Sequence, residues 1–353
     1  MSSTMAPRAA IEWGRLAAAA LLLAGALGAA QAQCKYKRIG AIPATWVGSR
    51  LTIDGSINDK PMKMVVDTGA VWTTLSGKLA QRLELTLVHA DGSELGFGGE
   101  SQISLARLDE MSVGPFRFHK TRAAVAWNTG DGIPDVLVGG NLLLQNDVEL
   151  DGKQIIIFSP SGCGDAELGY WDDGVPWVPT EAVTDDDLRT TIVVQVNGRP
   201  VRALIDTGAP STMLDEGVAR SLGLDPDAAR VGEVGGIGAH RQALSAVTFD
   251  TIAIGPEVIH RPRILVSRLW QGVKDDRHRM DTERYVDEQQ QMILGADFVR
   301  SHRLLFATSQ RRLYFSYLGG EVFRAPAVRP AIVAPAAAAS DATGAAAKPA
   351  AGG

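Results

Sequence analysis

Short apolar runs separated by turn-forming residues recur along the chain and predict an all-β protein. Residues 192–196 form an apolar, β-branched run typical of a strand. Asn197-Gly198 directly after it is a strong hairpin turn, because both residues tolerate positive φ. Asp59-Lys60 takes the same place in the first half of the chain, with a weaker signal. We therefore expect short strands joined by tight turns.

Helical periodicity is confined to two brief segments. Residues 78–83 and 217–222 each place apolar positions four apart, which predicts one short helix in each half of the chain. Strands and helices do not alternate regularly, so the pattern does not indicate a Rossmann-type sheet.

Two of the predicted strands end in the same tetrapeptide, Asp-Thr-Gly-Ala, at residues 67–70 and 206–209. The ten residues before each copy align without a gap, and the two copies are offset by 139 positions, from 67 to 206. A period far above the roughly 20–50 residues of solenoids and propellers indicates two whole lobes. The match continues downstream, pairing Thr73 with Thr212, Leu75 with Leu214, Ala80 with Ala219, and Leu83 with Leu222.

A single Asp-Thr-Gly is weak evidence for a functional motif, since chance places one in roughly one chain of ten at this length. Two copies at the same repeat position, each after an apolar run and each followed by Ala, are strong evidence. The alternative is that the tripeptide is only a strand-terminating turn, because Asp and Gly favour turns.

On these motifs the chain resembles the aspartic proteases of the retropepsin and pepsin type, and most closely a bacterial single-chain form with a duplicated retropepsin-like lobe. The resemblance covers roughly residues 50–160 and 190–318. It implies two β-barrel lobes with a central cleft. Further matching features are Thr73 and Thr212 after the two tetrapeptides, and the apolar pairs before Gly139 and Gly295, which are Leu137-Val138 and Ile293-Leu294.

The resemblance implies peptide-bond hydrolysis by Asp67 and Asp206, which share one proton and activate a water molecule. Such a site needs neither a cofactor nor a metal ion, and its substrate is a peptide or protein. Both Asp loops lie in one polypeptide, so we expect a monomer. The residues expected to support the active-site loops are Thr68, Gly69, Thr207 and Gly208.

Two glycine-rich segments follow the Asp motifs at similar distances, near residues 95–99 and 234–238. Neither completes Gly-x-Gly-x-x-Gly or carries the Lys of a phosphate loop, which disfavours a nucleotide site. By resemblance they are flaps that close over a bound peptide; ordinary hairpins without ligand contact are the alternative. The predicted flap residues are Phe97, Gly98, Gly99, Gly236, Ile237 and Gly238.

The amino-terminal segment, residues 1–32, has a positive start, an apolar stretch and Ala30-Gln31-Ala32, which together predict a cleaved secretory signal. An uncleaved anchor is the alternative. We expect an exported protein, periplasmic or secreted. In such a compartment Cys34 and Cys163, which bracket the first lobe, could form one disulfide. Two unpaired thiols are the alternative.

The rest of the chain divides into lobe 1 at 33–160, a linker at 161–189, lobe 2 at 190–323, and an Ala- and Pro-rich tail at 324–353. The tail composition predicts disorder. A net charge of −5 indicates no basic face for nucleic acid. After the signal, no apolar stretch is long enough to predict a membrane span.

A rival interpretation is a binding module: a duplicated protease fold that holds a peptide or envelope component without cutting it. A pure binder has no physical need for two carboxylate motifs, which argues against this class. Trp72, just past the first motif, leaves room for it, because a large ring there could block part of the cleft or fill the core. Residues 268–291, present only in the second lobe, form an insertion of unknown role.

Overall fold

The computed structural model describes residues 34–96, 99–127, 133–185, 187–235, 241–269 and 290–323. Most of these residues lie in strands, and the all-β prediction is confirmed. The predicted signal, the tail and most of the 268–291 insertion fall outside the described residues. Among the residues described, no helix has the length and apolar character needed to cross a membrane.

The first half of the chain forms ten strands and two short helices within the described ranges. The strands are β1 (Lys35–Val47), β2 (Arg50–Ile57), β3 (Lys60–Val66), β4 (Thr74–Ser76), β5 (Leu87–Gly96), β6 (Gly99–Val113), β7 (Phe116–Ala126), β8 (Val136–Val138), β9 (Asp147–Leu150) and β10 (Gln154–Ser161). The helices are α1 (Gly77–Arg82) and α2 (Gly140–Leu143).

The described part of the second half forms twelve strands and two short helices. Its strands are β11 (Trp177–Pro179), β12 (Thr191–Val196), β13 (Arg199–Ile205), β14 (Met213–Asp215), β15 (Arg230–Val234), β16 (Gln242–Thr248), β17 (Thr251–Ile254), β18 (Glu257–His260), β19 (Arg263–Ser267), β20 (Met292–Leu294), β21 (His302–Ala307) and β22 (Arg312–Tyr317). Its helices are α3 (Glu216–Ser221) and α4 (Ala296–Val299), and single 3₁₀ turns cover Asp227–Ala229 and Thr308–Gln310.

Six strands of the first lobe close into a barrel in the order β2-β3-β8-β4-β7-β6, with β6 returning to pair with β2. The second lobe has the matching order β12-β13-β20-β14-β19-β16. There the long hairpin is divided into β16–β19 and β17–β18, and β17 makes the pairing to β12. Apolar side chains fill both interiors, and they belong to one continuous core.

One predicted turn lies one residue away from its expected place. Positive φ values occur at Asn58 and Asp59, 46° and 61°, rather than at Asp59-Lys60. The physical reason is the asparagine, which adopts this conformation readily and also bridges to the next hairpin. Its Oδ1 accepts hydrogen bonds from the N–H groups of Asp109 and Glu110, at 2.9 and 3.3 Å.

Asn197 makes the same connection in the second lobe. Its φ is 49°, and its Oδ1 accepts from the N–H groups of Asp250 and Thr251, at 2.8 and 3.1 Å. The predicted turn at Asn197-Gly198 is therefore confirmed, and the repeat extends to the side chain that links two hairpins.

The lobes share a six-stranded sheet with the order β11-β22-β21-β9-β10-β1. In this sheet β21 of the second lobe pairs with β9 of the first, where Leu305 lies opposite Glu149. Residues 161–189, predicted as a linker, contribute β11 to its edge. Hydrogen bonds between strands therefore join the two lobes directly.

A buried polar cluster reinforces this junction. Glu149 is fully buried and accepts hydrogen bonds from Arg303 Nε at 2.8 Å and Tyr170 Oη at 2.6 Å. The Arg303 guanidinium also lies 4.5 Å from the centre of the Trp171 ring. The cluster thus combines one residue of each lobe with two residues of the predicted linker.

Cys34 and Cys163 are joined by a disulfide, as the export prediction anticipated. The bond links the residue before β1 to the segment after β10. These two strands also pair with each other, beginning with Lys35 opposite Ser161. It covalently closes the first lobe and its part of the shared sheet.

Candidate active site

The two Asp-Thr-Gly-Ala loops begin where two equivalent strands end. Asp67 follows β3 and Asp206 follows β13, and each strand runs parallel to a short neighbour, β8 or β20. The N–H of Asp67 donates to Val138 O at 3.0 Å, and that of Asp206 to Leu294 O at 2.9 Å. The apolar pairs before Gly139 and Gly295 therefore hold the start of each loop.

Each aspartate is oriented by its own loop. Oδ1 of Asp67 accepts from the N–H groups of Gly69 and Ala70, at 3.1 and 2.9 Å. Oδ1 of Asp206 accepts from Gly208 and Ala209, at 2.8 and 3.1 Å. The Asp206 carboxyl group lies against Gly69, and the Asp67 carboxyl group lies against Gly208, each in the opposite loop. The structure therefore brings the predicted pair together.

The neighbouring threonines connect the loops across the lobe boundary. The Thr68 hydroxyl donates to Ile205 O at 2.8 Å, and the Thr207 hydroxyl donates to Val66 O at 2.7 Å. Both threonines are buried. Each hydroxyl thus binds the carbonyl that lies one residue before the opposite aspartate.

Glycine is required at two positions by the closeness of the carboxyl groups. A Cβ atom at Gly69 would lie 2.6 and 2.7 Å from the Asp206 carboxylate oxygens. One at Gly208 would lie 2.6 Å from Asp67 Oδ1. Real Cβ atoms do not approach oxygen so closely, so any side chain here would push the carboxyl groups apart.

The electrostatics of the pair favour one retained proton. Burial of the carboxyl group raises the pKa of Asp206. Hydrogen bonds from Ala209, Asp67 and Gly208, and the charge of Arg189, oppose this rise without cancelling it. Arg189 is held in place by Asp187, with Nε–Oδ1 at 3.0 Å and Nη2–Oδ2 at 2.8 Å.

Two residues that the sequence analysis missed complete the loops. Oδ1 of Asn141 accepts from both the N–H and the hydroxyl of Thr73, at 2.8 and 3.0 Å. Oδ1 of Asp297 does the same for Thr212, at 2.8 and 2.6 Å. Each follows the glycine after β8 or β20 by two positions, and this spacing was the available signal.

Of the predicted flap residues, the structure describes Gly99, at the tip of the β5–β6 hairpin. Gly99 is the first residue of β6 and pairs with Gly96 of β5. In the second lobe β15 pairs with β16 up to Val234 and Gln242. The other predicted flap residues, which are Phe97, Gly98, Gly236, Ile237 and Gly238, lie outside the described residues.

Trp72 does not fill the core: half of its surface, 50%, is exposed.

Within the described ranges, no three His, Cys, Asp or Glu side chains come together as metal ligands. The groups described around Asp67 and Asp206 are backbone N–H groups and threonine hydroxyl groups.

Both halves of the chain match family models. A model described as aspartyl protease matches residues 192–298, and one described as gag-polyprotein putative aspartyl protease matches residues 53–145. No curated protein sequence matches the chain.

Solved structures with similar folds have low sequence identity. The aspartic proteinase from Irpex lacteus is 10% identical, with a TM-score of 0.45 over 80% of this chain and 97% of that one. Basic 7S globulin from soybean is 13% identical, with a TM-score of 0.41 over 81% and 98%. A retropepsin-like aspartic protease from Rickettsia conorii is 21% identical, with a TM-score of 0.25 over 36% and 96%.

Proposed function

Because the chain belongs to the retropepsin-like aspartyl proteases in both of its lobes, we propose that it is an endopeptidase in which Asp67 and Asp206 together activate a water molecule. The observation that carries the proposal is that the two loops bring these carboxyl groups together, each anchored by its own loop and lying against the glycine of the opposite one. The substrate is a peptide or protein.

The proposed chemistry needs no covalent intermediate. Two carboxyl groups in contact do not both ionise freely, so the pair holds one proton at mildly acidic pH. The ionised group takes a proton from the water, and the protonated group polarises the scissile carbonyl and later helps to protonate the leaving amine. The two groups titrate as a unit, and the acid and base roles belong to the pair.

The loop contacts hold the two carboxyl groups in position for these proton transfers. Backbone N–H groups fix Oδ1 of each aspartate. The threonines tie the loops together across the lobes. A reacting pair that is held in this way loses little free energy to reorganisation when the water attacks.

We further propose that the protein is exported and acts as a monomer. The disulfide between Cys34 and Cys163 supports an oxidising compartment, periplasmic or extracellular. The shared sheet supports a site assembled by one polypeptide, since β21 of the second lobe pairs with β9 of the first.

The test is incubation of the full chain with a mixed peptide library at several pH values, with products detected by mass spectrometry. Asp67→Asn and Asp206→Asn should each lower kcat by about 10²–10⁴-fold or more, because half of the pair cannot supply both proton transfers. The matched control is Asp54→Asn, since Asp54 is an exposed aspartate on β2 that pairs with Lys63 at the surface. It should keep wild-type activity.

Intact peptides at every pH, from a protein that binds them, would instead support the binding-module class. Near wild-type activity in either active-site variant would exclude the shared-proton mechanism. The protein would then still be a protease, but one with a different mechanism.

A further inference from the structure

The two catalytic loops, residues 67–73 and 206–212, are built on the same hydrogen bonds. In both loops, backbone N–H groups donate to Oδ1 of the aspartate. The N–H of Gly140 donates to the Ala70 carbonyl and that of Ala296 to the Ala209 carbonyl, both at 2.8 Å. The matching continues at the ends of the loops, where the hydroxyls of Thr73 and Thr212 accept from Gly139 and Gly295 at 3.2 and 3.1 Å.

The sequences of these loops differ at only two positions. Lobe 1 has Val71-Trp72 where lobe 2 has Pro210-Ser211. The backbone is in the same place in both: a Cβ atom at Gly139 would lie 2.5 Å from the carbonyl carbon of Trp72, and one at Gly295 would lie 2.5 Å from that of Ser211. The difference between the two loops is therefore a difference of side chains.

Those side chains have opposite surroundings. Trp72 is 50% exposed, whereas Ser211 is only 5% exposed. Val71 keeps a backbone N–H, which Pro210 lacks. The lobe 1 loop thus carries a large, half-exposed indole five residues after Asp67, whereas the lobe 2 loop carries a proline ring and no large side chain at the matching positions.

This asymmetry matters because the loops are otherwise related by an approximate two-fold repeat. An extended peptide could lie across such a symmetric pair in either direction, with the same carboxyl groups below its scissile bond. Features that differ between the two loops can favour one direction. In the described part of the loops, those features are Val71-Trp72 and Pro210-Ser211.

We propose that Trp72 is a specificity-determining residue that receives a large apolar side chain of the substrate on one side of the scissile bond, and thereby fixes the direction of the bound peptide. This inference rests on the proposed function. An apolar ligand fits because a half-exposed indole gains free energy when apolar surface covers it. Besides Asp67, the segment from 67 to 76 carries no charged residue to attract a charged side chain.

The experiment compares cleavage-site profiles from a randomised peptide library for the wild type, Trp72→Ala, Trp72→Phe and Trp177→Ala. The wild type should enrich large apolar residues on one side of the cleaved bond only. Trp72→Ala should reduce this enrichment about ten- to a hundredfold, the loss expected when one large apolar contact is removed. Trp72→Phe should retain most of it. The matched variant Trp177→Ala removes another half-exposed tryptophan, on β11 at the edge of the shared sheet, and should leave the profile unchanged.

An unchanged profile in Trp72→Ala, or an equal loss of kcat/KM for all peptides, would overturn the inference while leaving the proposed function intact. Should the wild type cleave nothing, the proposed function fails by itself. Binding of a peptide in which a non-cleavable hydroxyethylene group replaces the scissile amide then tests the role of Trp72. Weaker binding of this peptide by Trp72→Ala, relative to Trp177→Ala, supports the inference. Equal binding by the two variants, or no binding by the wild type, overturns it.

Discussion

The backbone N–H of Thr68 donates to the hydroxyl of Thr207 at 3.0 Å, and the N–H of Thr207 donates to the hydroxyl of Thr68 at 3.1 Å. Each hydroxyl also donates to a carbonyl of the opposite lobe. Neither loop can make these bonds alone. The two lobes therefore complete each other at the residues next to the paired carboxyl groups.

This exchange predicts that removing either hydroxyl weakens both the fold and the proposed activity. Thr207→Val keeps the shape of the side chain but leaves the N–H of Thr68 and the carbonyl of Val66 buried without this partner. Each such group costs about 1–3 kcal/mol. Urea unfolding should show the loss of stability, and kcat should fall because the loops are less well fixed.

The control for this prediction is Thr207→Ser, which retains the hydroxyl and should stay close to the wild type in both measurements. Equal stability of the valine and serine variants would show that the exchanged hydrogen bonds contribute little.

A second prediction concerns the oligomeric state. Since one chain supplies both loops and both members of the threonine exchange, the specific activity should not depend on protein concentration. Dilution series combined with analytical ultracentrifugation measure this directly. Activity that disappears as a dimer dissociates would contradict it.

The pH dependence supplies a third prediction. Burial raises the pKa of Asp206, and the charge of Arg189 acts in the opposite direction. Removing that charge in Arg189→Met should raise the pKa further, so the pair keeps its shared proton to a higher pH. Both limbs of the bell-shaped rate profile should therefore move toward alkaline pH.

Two variants control for structural damage at Arg189. Arg189→Lys keeps the positive charge and should largely preserve the profile. Arg202→Met removes another partly buried arginine, which pairs with Glu181, and should leave the limbs in place. A profile that stays fixed in Arg189→Met, or moves toward acid, would contradict the assigned influence of Arg189.

Much of the candidate site could be predicted because it depends on local sequence. The repeated tetrapeptide identified both loops, and the apolar runs before it identified the strands that present them. These features follow from strand-forming residues and from the freedom of glycine at Gly69 and Gly208. The pairing of Cys34 with Cys163 was also predictable, because the chain has only two cysteines.

Other features could not be predicted because they depend on contacts between distant segments. Pairing of β9 with β21 brings together residues more than a hundred positions apart, such as Glu149 and Leu305. No local pattern specifies that contact. The roles of Asn141 and Asp297 were missed because each binds a threonine of another segment, although their equal spacing after Gly139 and Gly295 was a local signal. The turn at Asn58-Asp59, by contrast, was misplaced although the repeat offset of 139 residues aligns it with Asn197-Gly198.

The buried cluster between the lobes leads to a fourth prediction. Arg303→Met leaves the fully buried carboxylate of Glu149 with only Tyr170 as its hydrogen-bond donor among these residues. Breaking a buried ion pair from one side costs about 3–5 kcal/mol. Adding Glu149→Gln removes the uncompensated charge and should recover most of the stability lost.

The control for the cluster is Arg241→Met. Arg241 pairs with Glu233, and both side chains are exposed, so the loss of this pair should cost roughly 0–1 kcal/mol. If Arg303→Met and Arg241→Met were equally stable in urea, the cluster would not be a significant link between the lobes.

The last prediction concerns the disulfide, which closes a loop of 129 residues. The double variant Cys34→Ala with Cys163→Ala should lose about 4–5 kcal/mol in the chain-entropy model, because the unfolded chain regains its freedom. Cys163 packs against residues such as Phe158 and Leu168, which do not belong to the Asp loops, so the kcat of folded protein should change little. Urea unfolding with and without dithiothreitol tests the cause. The wild type should fall to the stability of the variant when reduced, and the variant should not respond. Equal stability of the variant and the oxidised wild type would show that pairing of β1 with β10 alone holds the lobe closed.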